Sequence, residues 1–296
     1  MELQQLRYVL AVAEERNFTR AAAKSHVVQS ALSHQIKTLE HELGVQLFAR
    51  TSRRVELTEA GAAFLPAARA TLDAAQRAIA EATSTMGDLR GRLLIGAIPT
   101  VTTVDVTAAL GVFHRAHPNV EIGLTAGGSL DFVTAIRESS MDVAVLGLPD
   151  ATAPTGVSTE VLAHERLSAV MSPEHRLASR RGLRLEDLAA ETFVDFPSSS
   201  PGRYQSDRAF AAAGLSRSVA FDVMSTEVML DLVAQNLAVA LLAPDVVPED
   251  SGLSTVPITD GPTRIEYLAW SEFNPSAAAL AFLDILRATS AQKVSP

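Results

Sequence analysis

The chain has 296 residues, of which 47% are hydrophobic and 20% are charged, so it can bury two or three compact units and is not composed like a disordered protein. It contains no cysteine, which excludes disulfides, thiolate zinc sites, cysteine nucleophiles and cysteine-based redox sensing. The formal net charge of −9 argues against nucleic-acid binding, yet residues 1–92 hold 12 Lys and Arg against 10 Asp and Glu, so the acidity lies in the rest of the chain. No apolar run reaches the roughly 18 residues of a membrane helix, and the first residues are unlike a secretory signal, so a cytoplasmic protein is expected.

Residues 1–58 are predicted to form a small helical domain. Thr19 precedes an alanine run and is the predicted amino-terminal cap of a second helix over about 19–25, after a first helix whose apolar residues begin at Leu3. A third helix is predicted from about 29 to 42, ending at Gly44. Two β-favouring pieces around a basic turn follow, which is typical of a small β-wing.

Residues 59–90 are predicted to form a long linker helix and a hinge. Small and apolar residues recur with the 4-3 spacing of a heptad seam between paired helices; they are Gly61, Leu65, Ala68, Leu72, Ala75, Ile79 and Ala82. A helix lying on its own domain is the alternative. Pro66 is expected to bend this helix or shift its first turns, and Gly87 and Gly91 bracket the predicted hinge.

Short strand-like runs alternate with helical segments over residues 91–296. Such alternation predicts α/β units with mostly parallel sheets. The length exceeds what one small sheet usually takes, so we expect two subdomains with a cleft between them.

The polar face of the third helix is the strongest functional signal. Two short helices joined by a tight turn can place the second helix in the major groove, with its amino-terminal side chains at the base edges. The outward residues are Gln29, Ser30, Ser33, His34 and Lys37. Glutamine can make a bidentate contact to adenine, and serine reads bases less selectively. An ordinary amphipathic helix with a solvated polar face is an equally good interpretation of the pattern alone.

The segment FTRAAAKSHVVQSALSHQIKTLE, continued by ELGVQLFARTSRRVELTEAG, resembles the winged helix-turn-helix of LysR-type transcriptional regulators over about residues 3–65. The resemblance implies that Arg50 and Arg53 contact the phosphate backbone or the minor groove, with Arg54 a weaker candidate. It also implies a homodimer or homotetramer that binds an imperfect inverted repeat in double-stranded DNA.

Two positions depart from that family pattern. Ser25 stands where a leucine normally packs, and Val28 stands where Ser or Thr normally caps the third helix. The first N–H groups of the helix therefore need another partner, for which Gln29 or Ser30 is a candidate.

The rest of the chain resembles the family's effector domain, which is similar to periplasmic binding proteins. The implied fold class is an all-α winged helix-turn-helix and linker helix, then an α/β domain of two subdomains. Crossovers near 160–167 and 262–268 give a subdomain I of residues 91–162 and 267–296 and a subdomain II of residues 163–266. The stretch LDLVAQNLAVALLAPD normally has two glycines, at the positions of Asn236 and Ala238, and Asn tolerates a left-handed backbone better than Ala.

An effector site is expected where strand ends face helix amino termini. Hydroxyl groups and free N–H groups there favour an anion such as a carboxylate, with one arginine as a counter-charge. The candidates are Thr100, Thr102, Ser129, Ser200, Arg203 and Thr226. For each Ser or Thr taken alone, a plain helix cap is the alternative interpretation.

An enzyme is not expected, because the seven histidines show no metal-ligand spacing and neither GxxxxGK[ST] nor GxSxG occurs. No cofactor is implied. The competing functions are a small-molecule receptor without a regulatory role and a ligand-independent DNA-binding protein.

Overall fold

The computed structural model describes residues 1–50, 55–84, 89–150 and 153–293. Their contacts divide the chain into two compact units, residues 1–91 with 138–140, and residues 92–137 with 141–296. No helix of the described residues is both long and apolar enough to cross a membrane.

The described part of the first unit consists of helices and one hairpin. The helices are α1 (Leu3–Glu15), α2 (Phe18–Lys24), α3 (Gln29–Leu43) and α4 (Glu59–Ser84), and the strands are β1 (Phe48–Arg50) and β2 (Val55–Leu57). The two strands pair antiparallel with Phe48 opposite Leu57, so the β-wing is present. Its core is made of fully buried side chains of α1, α2 and α3 with Leu47 and Phe48 from the wing.

The cap of α2 differs from the prediction. Asn17, not Thr19, caps this helix, because the extended Asn17 accepts hydrogen bonds at Oδ1 from the N–H groups of Thr19 at 2.9 Å and Arg20 at 3.0 Å. Asn is at least as good a cap as Thr, and its side chain here satisfies two of the helix's free donors. Thr19 therefore lies inside the first turn.

Helix α3 begins without a side-chain cap. Val28 is the N-cap residue, and no side chain accepts a hydrogen bond at this helix start. The helix ends at Leu43 with Gly44 in the left-handed conformation (φ 71°), as the sequence predicts. Ser25 is half-buried and ends α2 with its N–H bonded to the carbonyl of Ala21.

Helix α4 starts against the wing. Thr58 accepts a hydrogen bond at Oγ1 from the N–H of Gly61 at 3.0 Å and donates its own hydroxyl to the carbonyl of Gln46 at 2.6 Å. A Cβ atom at Gly61 would overlap the carbonyl oxygen of Leu47. The helix continues through Pro66 as one element. Of the predicted hinge glycines, Gly87 lies outside the described residues and Gly91 adopts a φ of 111°.

Subdomain I of the second unit is built on a five-stranded sheet of order β4-β3-β5-β12-β6. Its strands are β3 (Gly91–Ala97), β4 (Val120–Ala126), β5 (Val143–Pro149), β6 (Ser158–Arg166) and β12 (Thr263–Trp270), and its helices are α5 (Val106–Ala116), α6 (Ser129–Arg137) and α10 (Ala277–Lys293). Strand β3 runs parallel to β5, whereas β12 runs antiparallel to both β5 and β6.

Subdomain II contains an antiparallel sheet of order β10-β7-β11 and a parallel pair, β8 and β9. The strands are β7 (Ser168–Met171), β8 (Thr192–Asp195), β9 (Ser218–Asp222), β10 (Ala240–Leu242) and β11 (Ser254–Pro257), and the helices are α7 (Leu185–Leu188), α8 (Pro201–Ala212) and α9 (Thr226–Ala234). The expectation of mostly parallel sheets is therefore wrong, because apolar alternation carries no information on strand direction.

The crossovers between the subdomains are short. Strand β6 ends at Arg166 and β7 begins at Ser168; on the return, β11 ends at Pro257 and β12 begins at Thr263. Pairing of β6 with β12 extends to Arg166 opposite Thr263, so subdomain I reaches four residues beyond the predicted boundaries of 162 and 267. In the turn after α9, Asn236 takes a φ of 56° and Ala238 is not among the residues of positive φ, so alanine is tolerated there.

Two glycine substitutions should have opposite effects on stability. We expect Gly61→Ala to reduce the free energy of unfolding by about 1–3 kcal/mol, because the added methyl group meets the Leu47 backbone. Gly111→Ala, inside α5 with only the end of the Arg115 side chain nearby, should raise it by about 0.5–1 kcal/mol. Thermal and urea unfolding measure the free energy of unfolding of both variants. Changes of the same sign in the two variants would contradict the expectation.

Candidate nucleic-acid interface and ligand crevice

Helix α3 presents a polar face to solvent. Gln29, Ser30, His34 and Lys37 are exposed, and Ser33 is half-buried. The opposite face is fully buried, since Leu32, Ile36 and Leu39 have no exposed surface. The structure thus brings the five predicted base-reading residues to one helix, and the buried face fixes its orientation in the unit.

Two polar residues outside the predicted set hold α3 in place. Glu40 accepts hydrogen bonds from the N–H groups of Leu47 at 2.8 Å and Phe48 at 3.2 Å, which ties the end of the helix to the wing. Gln35 accepts a hydrogen bond from the buried amide of Gln5 at 3.2 Å. Glu40 and Gln35 therefore position the helix, and they are not part of its exposed polar face.

The predicted phosphate or minor-groove contacts of the wing involve three arginines. Arg50 is the last residue of β1, but its side chain, Arg53 and Arg54 lie outside the described residues. Their contacts with phosphate or the minor groove stay predictions.

A narrow crevice lies between the two subdomains of the second unit, at the start of α6 and α8. Its volume is about 70 Å³, which is room for a few water molecules. Apolar side chains form most of the wall, joined by glycine backbone and a few polar groups. The lining residues that carry side-chain chemistry are Thr100, Ser129, Asp195, Ser200, Gln205 and Arg264.

Three of the six predicted effector residues line this crevice. Thr100 is buried beside Arg264, Ser200 caps α8, and Ser129 opens α6, where its hydroxyl exchanges hydrogen bonds at 3.0 Å with both backbone groups of Gly147. Each of these hydroxyls has a structural partner as well as a place at the crevice.

The other three predicted residues are not among the lining residues. Thr102 bonds the carboxylates of Glu165 and Glu266, and the Thr226 hydroxyl lies 3.4 Å from the carbonyl of Pro99. The guanidinium of Arg203 is paired with Asp207 and Asp222, at 2.9 Å each.

The threonine segment after β3 also differs from the prediction. Thr100 and Thr102, expected near a helix amino terminus, do not lie at one, because α5 starts only at Val106 with Asp105 as its cap. Their hydroxyl groups instead serve a buried charge cluster.

Arg264 is the centre of that cluster. Its Nε lies 2.5 Å from Glu165, Nη1 donates to the Thr100 hydroxyl at 2.6 Å, and Nη2 donates to the Thr100 carbonyl at 2.8 Å. Glu266, which has no exposed surface, accepts hydrogen bonds from Thr102 and Thr103 and lies 3.5 Å from Nη2. One guanidinium therefore joins the loop after β3 to β6 and β12 beside the crossovers.

On the opposite wall, Asp195 belongs to a second buried ion pair. Its carboxylate lies 2.6 Å from Nη2 of Arg217, and both side chains are almost fully buried. Burial raises the pKa of the Asp195 carboxyl, and Arg217 acts in the opposite direction. Asp195 and Arg264, the charged residues of the crevice wall, are thus both paired with a protein counter-ion.

Gln205 is the polar lining residue with the most freedom to bind. It is buried to 6% exposure in α8, and no residue in the described part of the chain hydrogen-bonds its amide. An amide at the crevice wall without a protein partner can serve a bound molecule as both donor and acceptor.

Two family models match the chain. The model described as "Bacterial regulatory helix-turn-helix protein, lysR family" matches residues 3–62, and that described as "LysR substrate binding domain" matches residues 86–291. The chain belongs to the LysR family. The predicted family and fold class, a winged helix-turn-helix and linker helix followed by an α/β effector domain, are thereby confirmed.

Individual relatives span most of the chain. It is 34% identical to the HTH-type transcriptional regulator ShiR of Corynebacterium glutamicum (strain R) over 81% of this chain and 82% of that regulator. The structure of a full-length OxyR variant from Pseudomonas aeruginosa has a TM-score of 0.73 at 25% identity, covering 98% of this chain and 96% of that one. Full-length CbnR complexed with its target DNA has a TM-score of 0.69 at 24% identity, covering 98% and 100%, and supports the fold alone.

Sequence reasoning on this LysR-family chain missed Arg264, Asp195 and Gln205. Arg264 pairs with residues 99 and 164 positions away in the chain, so no local pattern signals it. For Arg203 the sequence did indicate an ion pair, because Asp207 lies four residues further along the same helix.

The Arg264 cluster should dominate the stability of subdomain I. We expect Arg264→Gln to cost about 3–5 kcal/mol, because it leaves the carboxylates of Glu165 and Glu266 buried without their cation. The matched change Arg287→Gln, which breaks a half-exposed pair with Glu160, should cost less than about 1 kcal/mol. Chemical denaturation measures both, and similar costs for the two variants would contradict the expectation.

Proposed function

We propose that this LysR-family transcriptional regulator binds an imperfect inverted repeat in double-stranded DNA through α3 and changes its promoter binding when a small anionic effector enters the crevice. The observation that carries the first half is the exposed polar face of α3, from Gln29 to Lys37, opposite the buried Leu32, Ile36 and Leu39. We further propose that it acts in the cytoplasm, as a protein that must reach DNA.

The DNA contact uses the chemistry of the α3 side chains. Gln29 and Ser30 lie in the first turn, where a recognition helix meets base edges, and Lys37 lies where it can reach phosphate. The CbnR structure of the same fold contains that protein's target DNA, and DNA binding by this chain is proposed in line with it. Arg50, Arg53 and Arg54 would add contacts to phosphate or the minor groove.

A palindromic operator needs two such helices. We infer a homodimer or homotetramer paired through α4. Gly61 and Ala68 of its heptad spacing are buried within the unit itself, so the pairing would use the later part of the helix. Two-fold symmetric pairing would then set the spacing of the two half-sites.

The proposal of a compact anionic effector rests on two features of the crevice, its helix ends and its apolar walls. The amino ends of α6 and α8 face it, and free N–H groups at helix starts favour negative charge. Arg264 adds no free counter-charge, because Glu165 and Glu266 pair with its guanidinium as Asp207 and Asp222 pair with that of Arg203. The apolar walls suit a compact organic acid better than an inorganic ion.

The small volume of the crevice implies that ligand binding changes the subdomain arrangement. A cavity of about 70 Å³ is small beside the roughly 300–1,000 Å³ of typical small-molecule sites, which favours separation of its walls when an organic acid binds. A ligand that binds the opened form better shifts the population toward that form, which is the minimum requirement for control of DNA binding.

The signal is a bound molecule rather than thiol oxidation. The related OxyR structure is that of a variant in which a cysteine is replaced by aspartate, whereas this chain has no cysteine at any position. Reversible disulfide or sulfenic acid chemistry of cysteine therefore cannot occur in this chain.

DNA binding can be tested on a labelled duplex of the gene's upstream intergenic region, with excess unrelated DNA and varied salt. We expect nanomolar-range affinity that weakens as salt rises, because phosphate contacts release counter-ions. Replacing both Gln29 and Arg50 by Ala should weaken binding at least about tenfold. Replacing Gln235 and Arg287 by Ala, the same changes within the second unit, should leave it unchanged.

Failure to bind both this region and a genomic fragment library would sink the DNA-binding proposal. A small-molecule receptor without a regulatory role would then be the better description.

Effector binding can be tested by thermal unfolding of the intact protein with small mono- and dicarboxylates. A binding acid present at about 100 times its Kd should raise the melting temperature by about 5 °C. Gln205→Leu should abolish that shift without loss of stability, since the amide has no partner among the described residues, whereas the control Gln235→Leu should keep it. A shift produced only by neutral or cationic compounds would refute the anionic class, and no shift with any compound would favour ligand-independent DNA binding.

A further inference from the structure

Val28 is an exposed apolar residue at the start of the helix proposed to read DNA. It is 67% exposed, the largest value among the described large hydrophobic residues of the first 84 positions. Its neighbours on the same surface, Gln29, Ser30, His34 and Lys37, are all polar. An isolated valine in this position needs a reason.

The free protein gains nothing from valine there. Val28 is the N-cap residue of α3, and its side chain makes no capping hydrogen bond with the first turn. Ser, Thr, Asp or Asn at an N-cap typically favours the folded form by a factor of about five over an apolar residue. With valine at this position, α3 lacks a side-chain cap and an isopropyl group is exposed to water.

The bound state offers an apolar partner. In the major groove the bases present hydrogen-bonding groups and a single apolar group, the 5-methyl of thymine. Residues at the amino end of a recognition helix are those that meet base edges. A branched apolar side chain at this end matches a thymine methyl and matches no other base edge.

The geometry also suits recognition. The carbonyl of Val28 accepts hydrogen bonds from the N–H groups of Ala31 at 3.1 Å and Leu32 at 3.2 Å, so its backbone is fixed by the helix. The side chain is β-branched and has few rotamers, so little conformational freedom is lost when it packs against a base.

We propose that Val28 determines operator specificity by packing its isopropyl group on the 5-methyl group of one thymine in each half-site, next to the base that Gln29 contacts. This rests on the proposed DNA binding through α3. It assigns the apolar departure at this position to base selection rather than to folding.

Uracil interference on a duplex that the protein footprints tests the proposal. Random replacement of thymine by deoxyuridine removes only the methyl group, so each sensitive thymine is found by comparison of bound and free DNA. For the unmodified protein we expect one sensitive thymine in each half-site, with binding weakened about fourfold by the loss of its methyl group.

Two variants with the same chemical change separate recognition from folding. Val28→Ser should bind the thymine and deoxyuridine duplexes equally, and it should melt at the same or a higher temperature because serine restores a cap. Val45→Ser changes an exposed valine just beyond the opposite end of α3 and should keep the preference of about fourfold.

Other results overturn the proposal. A footprint without any sensitive thymine, or sensitivity that persists in Val28→Ser, would show that Val28 does not read a methyl group, while DNA binding itself would stand. A thymine preference lost equally in Val45→Ser would point to a general weakening of α3. Absence of any footprint would remove both this inference and the DNA-binding proposal.

Discussion

Subdomain I depends on the desolvated guanidinium of Arg264. A cation removed from water is tolerated only if carboxylates and oxygen acceptors replace its hydration, and here Glu165, Glu266 and Thr100 do so. These partners come from β6, β12 and the loop after β3, so the cost of burying the charge is offset only when all three elements are in place. The same residues lie next to the two crossovers, where Arg166 also bonds the carbonyls of Thr259 and Gly261. The end of the sheet that faces the crevice is thus held by charge as well as by the apolar packing of Ile98 and Ile265.

Local signals predicted the elements of the DNA-binding unit well, because helix periodicity, Gly44 and the β-favouring wing are short-range features. The cap at Asn17 was missed since two cap-forming residues stood two positions apart and only the observed backbone distinguishes them. The strand directions and the Arg264 cluster could not be predicted from the sequence for a different reason. Both depend on contacts between segments about 100 or more residues apart, which leave no trace in spacing or composition.

The candidate effector residues show the same difference between local signals and long-range contacts. Ser129 and Ser200 were found because a hydroxyl residue after a strand and before a helix is a local pattern, and the fold brings those helix starts together. Arg203 was chosen for its charge without regard to the carboxylates that neutralise it. Gln205 gives no sequence signal at all, because only a known fold reveals that its amide lines the crevice.

The contact of Gly61 with the wing has a practical consequence for chimeric regulators. The first turn of α4 is built against residues 46 and 47 through Thr58 and Gly61, so it belongs structurally to the DNA-binding fold although it starts the linker helix. A fusion joined at residue 58 would leave this turn to the foreign sequence and place a side chain where only hydrogen fits. Junctions placed after the first turn, beyond residue 62, keep the interlocking piece with its own domain and let the rest of the helix be exchanged.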